Sequence, residues 1–299
     1  MSTQSGVTVR PSRARRNHTR ARLCVFAALA AALLLASVFA EALCPYDPNA
    51  QNLAEALQAP SAAHPFGTDR YGRDMLSRVL IGAQTSISSA LVLVAIIAIV
   101  GTLLGVSCGL SGGALDTVVM RLSDVCLAFP GLVFAMAIAA VLDGGIQNAV
   151  LALALVSWPK YARLARSQTL AIQHTDYLLA ARLSGCSPPA LLLRHILPNI
   201  AGPVLVTAVL DIGTMMMELA ALSFLGLGAL PPAAEWGSMM SDGRSMLQTY
   251  PWVVLTPGLA IFLSVALFHL LGDAVRDWLD PRSGQSGRRG RTHGQGENI

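Results

Sequence analysis

Apolar residues fall along this chain in long runs separated by short polar stretches, with neither strand-like alternation nor a heptad repeat. A bilayer core of about 30 Å takes roughly 20 apolar residues of helix. Six runs approach that length or pair with their surroundings to reach it. They extend from Leu23 to about Ala40, Ile87 to Leu110, Val125 to Leu142, Ile146 to Trp158, Ile200 to Leu222 and Trp252 to Leu271. The predicted fold class is all-α: a polytopic membrane protein with about six transmembrane helices. The organisation that follows is a basic cytoplasmic segment over 1–22, a first transmembrane helix over 23–43 and an external segment over 44–86. A transmembrane core follows over 87–282, then a disordered cytoplasmic tail, rich in Gly, Arg and Ser, over 283–299. Pro130, Pro203 and Pro257 fall inside runs and predict kinks, which membrane helices tolerate.

Composition agrees with the pattern. Of 299 residues, 54% are hydrophobic and 13% charged, against about 25% charged in a soluble domain. The five cysteines include no CxxC pair, so neither a disulfide framework nor a zinc site is indicated, and no cofactor is expected. The basic residues are arginines except for Lys160, which follows Trp158-Pro159 rather than the glycine of a Walker A loop. ATP binding by a P-loop is therefore not expected of this chain.

Charge also orients the spans. With the N-terminus inside, the cytoplasmic segments hold six Arg or Lys at the N-terminus, one after span two, five between spans four and five and five at the C-terminus. These seventeen face only four on the other side, Arg70, Arg73, Arg78 and Arg244. The imbalance places both termini in the cytoplasm. The Arg-rich start and Val38-Phe39-Ala40 also fit a cleaved signal peptide. Retaining the first run keeps the two termini on one side, and that reading is adopted.

The stretch over about 160–198 carries the most information. Asp176 or Thr175 can cap a helix, Gly185 can end it in the left-handed conformation, and Ser187 can cap a second helix with Pro188 at its first position. Two short helices at a sharp angle on the cytoplasmic face are predicted, running to Leu197, a shape suited to a groove on a partner. Ala180-Ala181, Gly185 and Leu197-Pro198 resemble the EAA loop of permease subunits in binding-protein-dependent ABC importers. Leu179 stands where that pattern has Glu and His195 where it often has Ile, while Arg194-His-Ile-Leu-Pro-Asn199 resembles the peptide/nickel branch.

Other stretches resemble the same branch: Gly67-Thr-Asp-Arg-Tyr-Gly-Arg-Asp74 with Ser77-Arg78, Leu222-Ser-Phe-Leu-Gly-Leu-Gly228 with Glu235-Trp-Gly237, and Gly272-Asp-Ala-Val-Arg-Asp277 with Leu279-Asp-Pro281. The resemblance covers about residues 45–282. It implies a transport subunit of the bacterial inner membrane, not an enzyme. It implies separate ABC ATPase subunits, a second homologous permease and an extracytoplasmic substrate-binding protein as partners, with no nucleic acid. It further implies that Asp176, Ala180, Ala181, Gly185, His195, Leu197 and Pro198 belong to the ATPase-coupling loop. Asp211-Ile-Gly213, the run Met215–Met217 and Ala234–Gly237 look more like the second permease of nickel importers than of dipeptide importers, so nickel ion is the favoured cargo and di- or oligopeptides the next. Thr214 and Glu218 stand where the nickel subunits can carry His.

An acidic residue within a span is by default functional. Asp211, Met215 and Glu218 recur at i, i+4 and i+7 and share one helix face. That face either lines the translocation path, offering oxygen and thioether contacts to a cation or a peptide amine, or packs against a neighbour. No metal site is assigned. His269 and Asp273, four apart, are expected to form an interfacial hydrogen-bonded pair, Arg121 and Asp124 a surface ion pair, and His64 and His174 to be solvated in loops. The charges of Gly67–Arg78 fit a docking surface for an external protein or an amphipathic helix lying on the bilayer. A stand-alone secondary transporter or channel is the alternative function, but no internal repeat is visible. An intramembrane enzyme is disfavoured by the absence of HExxH and GxSxG motifs.

Overall fold

The computed structural model describes residues 13–173 and 175–279. The tail over 283–299, residues 1–12 of the basic segment and His174 lie outside the described residues. Helices α1 Arg13–Val38 and α2 Ala40–Leu43 lead into an irregular segment, then α3 Met75–Ser111, α4 Gly113–Ala128, α5 Gly131–Val141 and α6 Ile146–Ile172. The short helices α7 Asp176–Leu183 and α8 Pro188–Leu191 follow. A π-helical turn Leu192–Ile196 then passes into α9 Leu197–Phe224, and α10 Trp236–Gly243 and α11 Trp252–Leu279 complete the chain. An isolated bridge between Thr68 and Asp74 is the sole β feature among the described residues.

Among the described residues four helices are long and apolar enough to cross a membrane, or five if the bent pair α4–α5 is counted as one span. Helix α6, whose elbow-side half carries Lys160, Arg163 and Arg166, is not among them, so the expected count of six is not reached among the described residues. The third span is not the single helix expected over 125–142. Pro130 cannot extend α4 and forces Phe129 into an extended conformation (φ −105°, ψ 151°), so the chain turns by 95° between α4 and α5. Pro203 and Pro257, by contrast, lie inside α9 and α11. Helix α3 begins at Met75 rather than near Ile87, because the Asp74 carboxylate caps it by accepting from the Ser77 amide at 2.8 Å.

The core is organised around α3. It runs parallel to α6 along Gly101, Gly105 and Gly109, which lie against Trp158, Ala162 and Thr169 in turn. Spacing by four puts these glycines on one face, and without side chains the two backbones approach closely. Helix α9 packs on α3, α6 and α11, with Gly213 against the His269 ring and Gly272 against Leu210. Helix α1 rests mainly on α11, and Arg22 pairs with Asp277 at 3.7 Å. Since Leu279 also approaches Gly202, near the start of α9, both described ends of the chain lie on the side where α6 meets α9.

Candidate functional site

Three polar regions emerge from this packing. The first is the elbow between α6 and α9. Helix α6 continues to Ile172, so Lys160, Arg163 and Arg166 sit within a long helix rather than in a loop, and the elbow itself begins only near Thr175. Thr175 accepts the amides of Leu178 and Leu179. Gly185 (φ +79°) ends α7, with the Cys186 amide returning to the Ala181 carbonyl, and Ser187 accepts the Leu191 amide as α8 starts at Pro188. The left-handed Gly185 and the start at Pro188 are as expected, while the Thr175 hydroxyl donates to the Ile172 carbonyl instead of capping α7. The second helix differs: it does not stop at Leu197 but flows through the π turn into α9, so the elbow is rigidly continuous with a span.

One face of the elbow is buried and the other is bare. Leu178, Leu191 and Ile196 pack against Val106 of α3, Ala165 of α6 and Ile200 of α9. Asn199 Nδ2 donates to the Tyr177 hydroxyl at 2.8 Å and to the His195 carbonyl at 2.5 Å, tying α7 to the base of α9. Among the coupling-loop residues, Asp176, Ala180, Gly185 and Pro198 are exposed, while Ala181, His195 and Leu197 are half-buried. Leu183 is 90% exposed and Leu193 62% exposed, joined on the outer surface by Tyr177 and Leu179. Isolated exposed leucines are common, but four large apolar side chains exposed on one short elbow are more than isolated cases.

The second region lies within the membrane helices. Asp211 is buried, and one carboxylate oxygen accepts from Lys160 Nζ at 2.5 Å. Its other oxygen is buried, with the buried Tyr161 hydroxyl beside it. Glu218 is half-buried and within electrostatic reach of both Asp211 and Lys160. Met215 is buried in the main core cluster, so this member of the expected polar stripe packs rather than facing open space. The sequence reading missed Lys160 as the partner of Asp211. The available signal was that the chain's one lysine stands in a run long enough to be membrane helix, where charges pair. Near the elbow, Arg166 grips Asp116 with both nitrogens at 2.5 and 2.6 Å, and Arg163 reaches Asp124 at 2.6 Å. With Arg121, 3.8 Å from Asp124 as the i, i+3 spacing predicts, these residues line an open cleft of about 520 Å³ between α4 and α6.

The third region is on the opposite side. Residues 67–78 do not form one amphipathic helix, and most of their charges are paired within the fold, while Arg70 stays exposed, 3.4 Å from Asp242. Buried Arg73 Nε donates to Asp69 at 2.6 Å, and Arg78 lies 3.8 Å from the same carboxylate. His64, expected in solvent, is buried with Nδ1 2.9 Å from Asp74. Glu235 caps α10 through the amides of Gly237 and Ser238 and accepts from Ser86 of α3 at 3.1 Å. Its burial raises the carboxyl above the ordinary range, against the lowering effect of those hydrogen bonds. His269 and Asp273 do not pair; His269 Nδ1 lies 2.9 Å from the Val265 carbonyl, one turn back on its own helix. Among the described residues no cluster of three or more His, Cys, Asp or Glu could hold a metal ion.

Comparison with known proteins adds to this geometry. The family described as "Binding-protein-dependent transport system inner membrane component" matches residues 101–285. The probable D,D-dipeptide transport system permease protein DdpC of Escherichia coli (strain K12) is 46% identical over 252 residues, covering 84% of this chain and 85% of that protein. The dipeptide transport system permease protein DppC of Alkalihalophilus pseudofirmus is 41% identical over 83% of this chain and 82% of its own. The glutathione transport system permease protein GsiD of Escherichia coli O157:H7 is 43% identical over 90% and 88%.

Proposed function

This chain belongs to the binding-protein-dependent transport system inner membrane component family, as a permease subunit of an ABC importer, and on that premise we propose that its cargo is a di- or oligopeptide. Names of similar proteins support the cargo class: those at 41–46% identity are permeases for D,D-dipeptides, dipeptides and glutathione, a modified tripeptide. Nickel, favoured by the motif resemblance, has no such support, and a nickel path would have to manage without a three-ligand cluster among the described residues.

In this reading the spans form half of the pathway and a second, related permease forms the other half. Separate ATPase subunits bind the elbow, an extracytoplasmic protein delivers cargo to the opposite side, and both termini are cytoplasmic. The observation that carries the coupling role is the two-faced elbow, anchored by Leu178, Leu191 and Ile196 and presenting Leu183, Leu193, Leu179 and Tyr177. A closing ATPase pair pushing on it would move α9 directly, since no loop intervenes.

The test is uptake of a labelled dipeptide and of radioactive nickel by cells with and without this chain, all partner subunits being present. Loss of dipeptide uptake alone is expected. Loss of nickel uptake alone would reverse the cargo assignment.

A further inference from the structure

Asp211 stands eleven residues from each end of the apolar run Ile200–Leu222, about 16 Å from either end at 1.5 Å per residue. Lys160 meets it there. The two partners are unlike: the Asp211 side chain is 2% exposed, that of Lys160 54%. An ammonium left facing acyl chains at this depth costs about 2.5–3.5 kcal/mol or more. The open side of Lys160 is therefore covered by protein or faces water in the path. Asp211 is too buried to meet a solute; its role is to hold the ammonium at the helix surface. Glu218 lies on the same face of α9, seven residues on, which is about 10.5 Å along the axis.

We propose that Lys160, positioned by Asp211, and Glu218 form a dipolar seat in the translocation path for the two ends of a zwitterionic peptide, with the ammonium of Lys160 meeting the C-terminal carboxylate and Glu218 the terminal amine. The peptide-permease reading above is its premise. An extended chain spans about 3.3–3.6 Å per residue, so the ends of a dipeptide lie about 7 Å apart and those of a tripeptide about 10–11 Å, the latter close to the rise along α9 from Asp211, which holds Lys160, to Glu218. The seat recognises ends and ignores side chains, which suits a path whose cargo is selected elsewhere.

The test uses the assembled importer in proteoliposomes with saturating, peptide-loaded binding protein, reading dipeptide taken up per ATP hydrolysed. Lys160→Arg is expected to retain most uptake. The neutral pair Lys160→Gln with Asp211→Asn is expected to lose about tenfold, the loss of one charged contact of roughly 1.4 kcal/mol. If the ion pair only neutralises a buried charge, that neutral double variant couples as the wild type does, and the seat is overturned. Glu218→Gln leaves the ion pair intact and provides a second reading should the double variant fail to assemble. A fall in uptake per ATP is expected, and unchanged uptake overturns the proposal. A wild-type importer that moves no dipeptide at all would instead defeat the peptide reading on which the seat rests.

Discussion

Gly105 of α3 lies so close to α6 that a Cβ added to it would overlap the carbonyl oxygen of Ala162. Gly101, one turn earlier, would place its Cβ 2.5 Å from the Trp158 carbonyl oxygen. Lipid supplies no hydrophobic drive for helices to associate, so close backbone packing is what joins α3 to α6. Gly105→Val should therefore cost on the order of 3 kcal/mol and lower the detergent-solubilised protein's thermal midpoint and folded yield. Gly131→Ala is the control, because the nearest atom to its Cβ would be 3.8 Å away; its midpoint should stay near that of the wild type.

The elbow's two faces should separate under mutation. Leu183→Asp on the bare face should leave folding intact and weaken co-purification of the ATPase about tenfold, as loss of one apolar anchor of about 1.5 kcal/mol would. Leu178→Ala on the buried face should instead destabilise the elbow by about 2–5 kcal/mol. It would be seen as faster amide exchange over residues 175–196.

Glu235 links α10 to α3 through Ser86. Its Ala variant leaves the Gly237 and Ser238 amides unpaired and should destabilise the opposite-side loops by about 1–3 kcal/mol, while Glu235→Gln keeps an acceptor and should cost less. The pH dependence has a definite sign. Burial raises this carboxyl, so the folded state holds the proton more tightly than the unfolded state. Its contribution therefore falls as pH rises from the ordinary carboxyl value near 4.5 towards the raised folded value. The slope should vanish in Glu235→Gln when thermal midpoints are compared across that range.

Asp74 does three things at once: it caps α3 through the Ser77 amide, accepts the Ser77 hydroxyl at 2.7 Å and meets His64 at 2.9 Å. Asp74→Ala should cost about 1–2 kcal/mol from the cap alone. Limited proteolysis should then cleave within 44–74 at enzyme concentrations that leave the wild type intact, with Asp74→Asn intermediate.

Local signals were legible where one residue decides one conformation. Gly185 ends α7 and Ser187-Pro188 opens α8 as the sequence predicts, because left-handed backbone and a missing N–H are properties of single residues. Apolar runs located four of the spans, but not the bend at Pro130 or the start of α3 at Met75. Relations between distant segments were less visible. Lys160 is 51 residues from Asp211, and nothing in either neighbourhood indicates which charge answers which. The repeat Gly101, Gly105, Gly109 stood in plain sight and predicts a tight helix contact, though not with which helix. Pro130 shows the limit of a local rule: Pro203 and Pro257 are accommodated within helices, while Pro130 ends one. The charges of Gly67–Arg78 looked solvent-bound because a sequence does not show that Asp69 will receive both Arg73 and Arg78.

The most direct test of the account is accumulation of labelled dipeptide in proteoliposomes holding this chain, its partner permease and the ATPase subunits, with loaded binding protein on the side away from the elbow. Accumulation that requires ATP and the ATPase subunits, and that collapses with Leu183→Asp, is the predicted result. Uptake that proceeds without ATP or without the ATPase subunits would contradict it and mark the chain as a transporter in its own right.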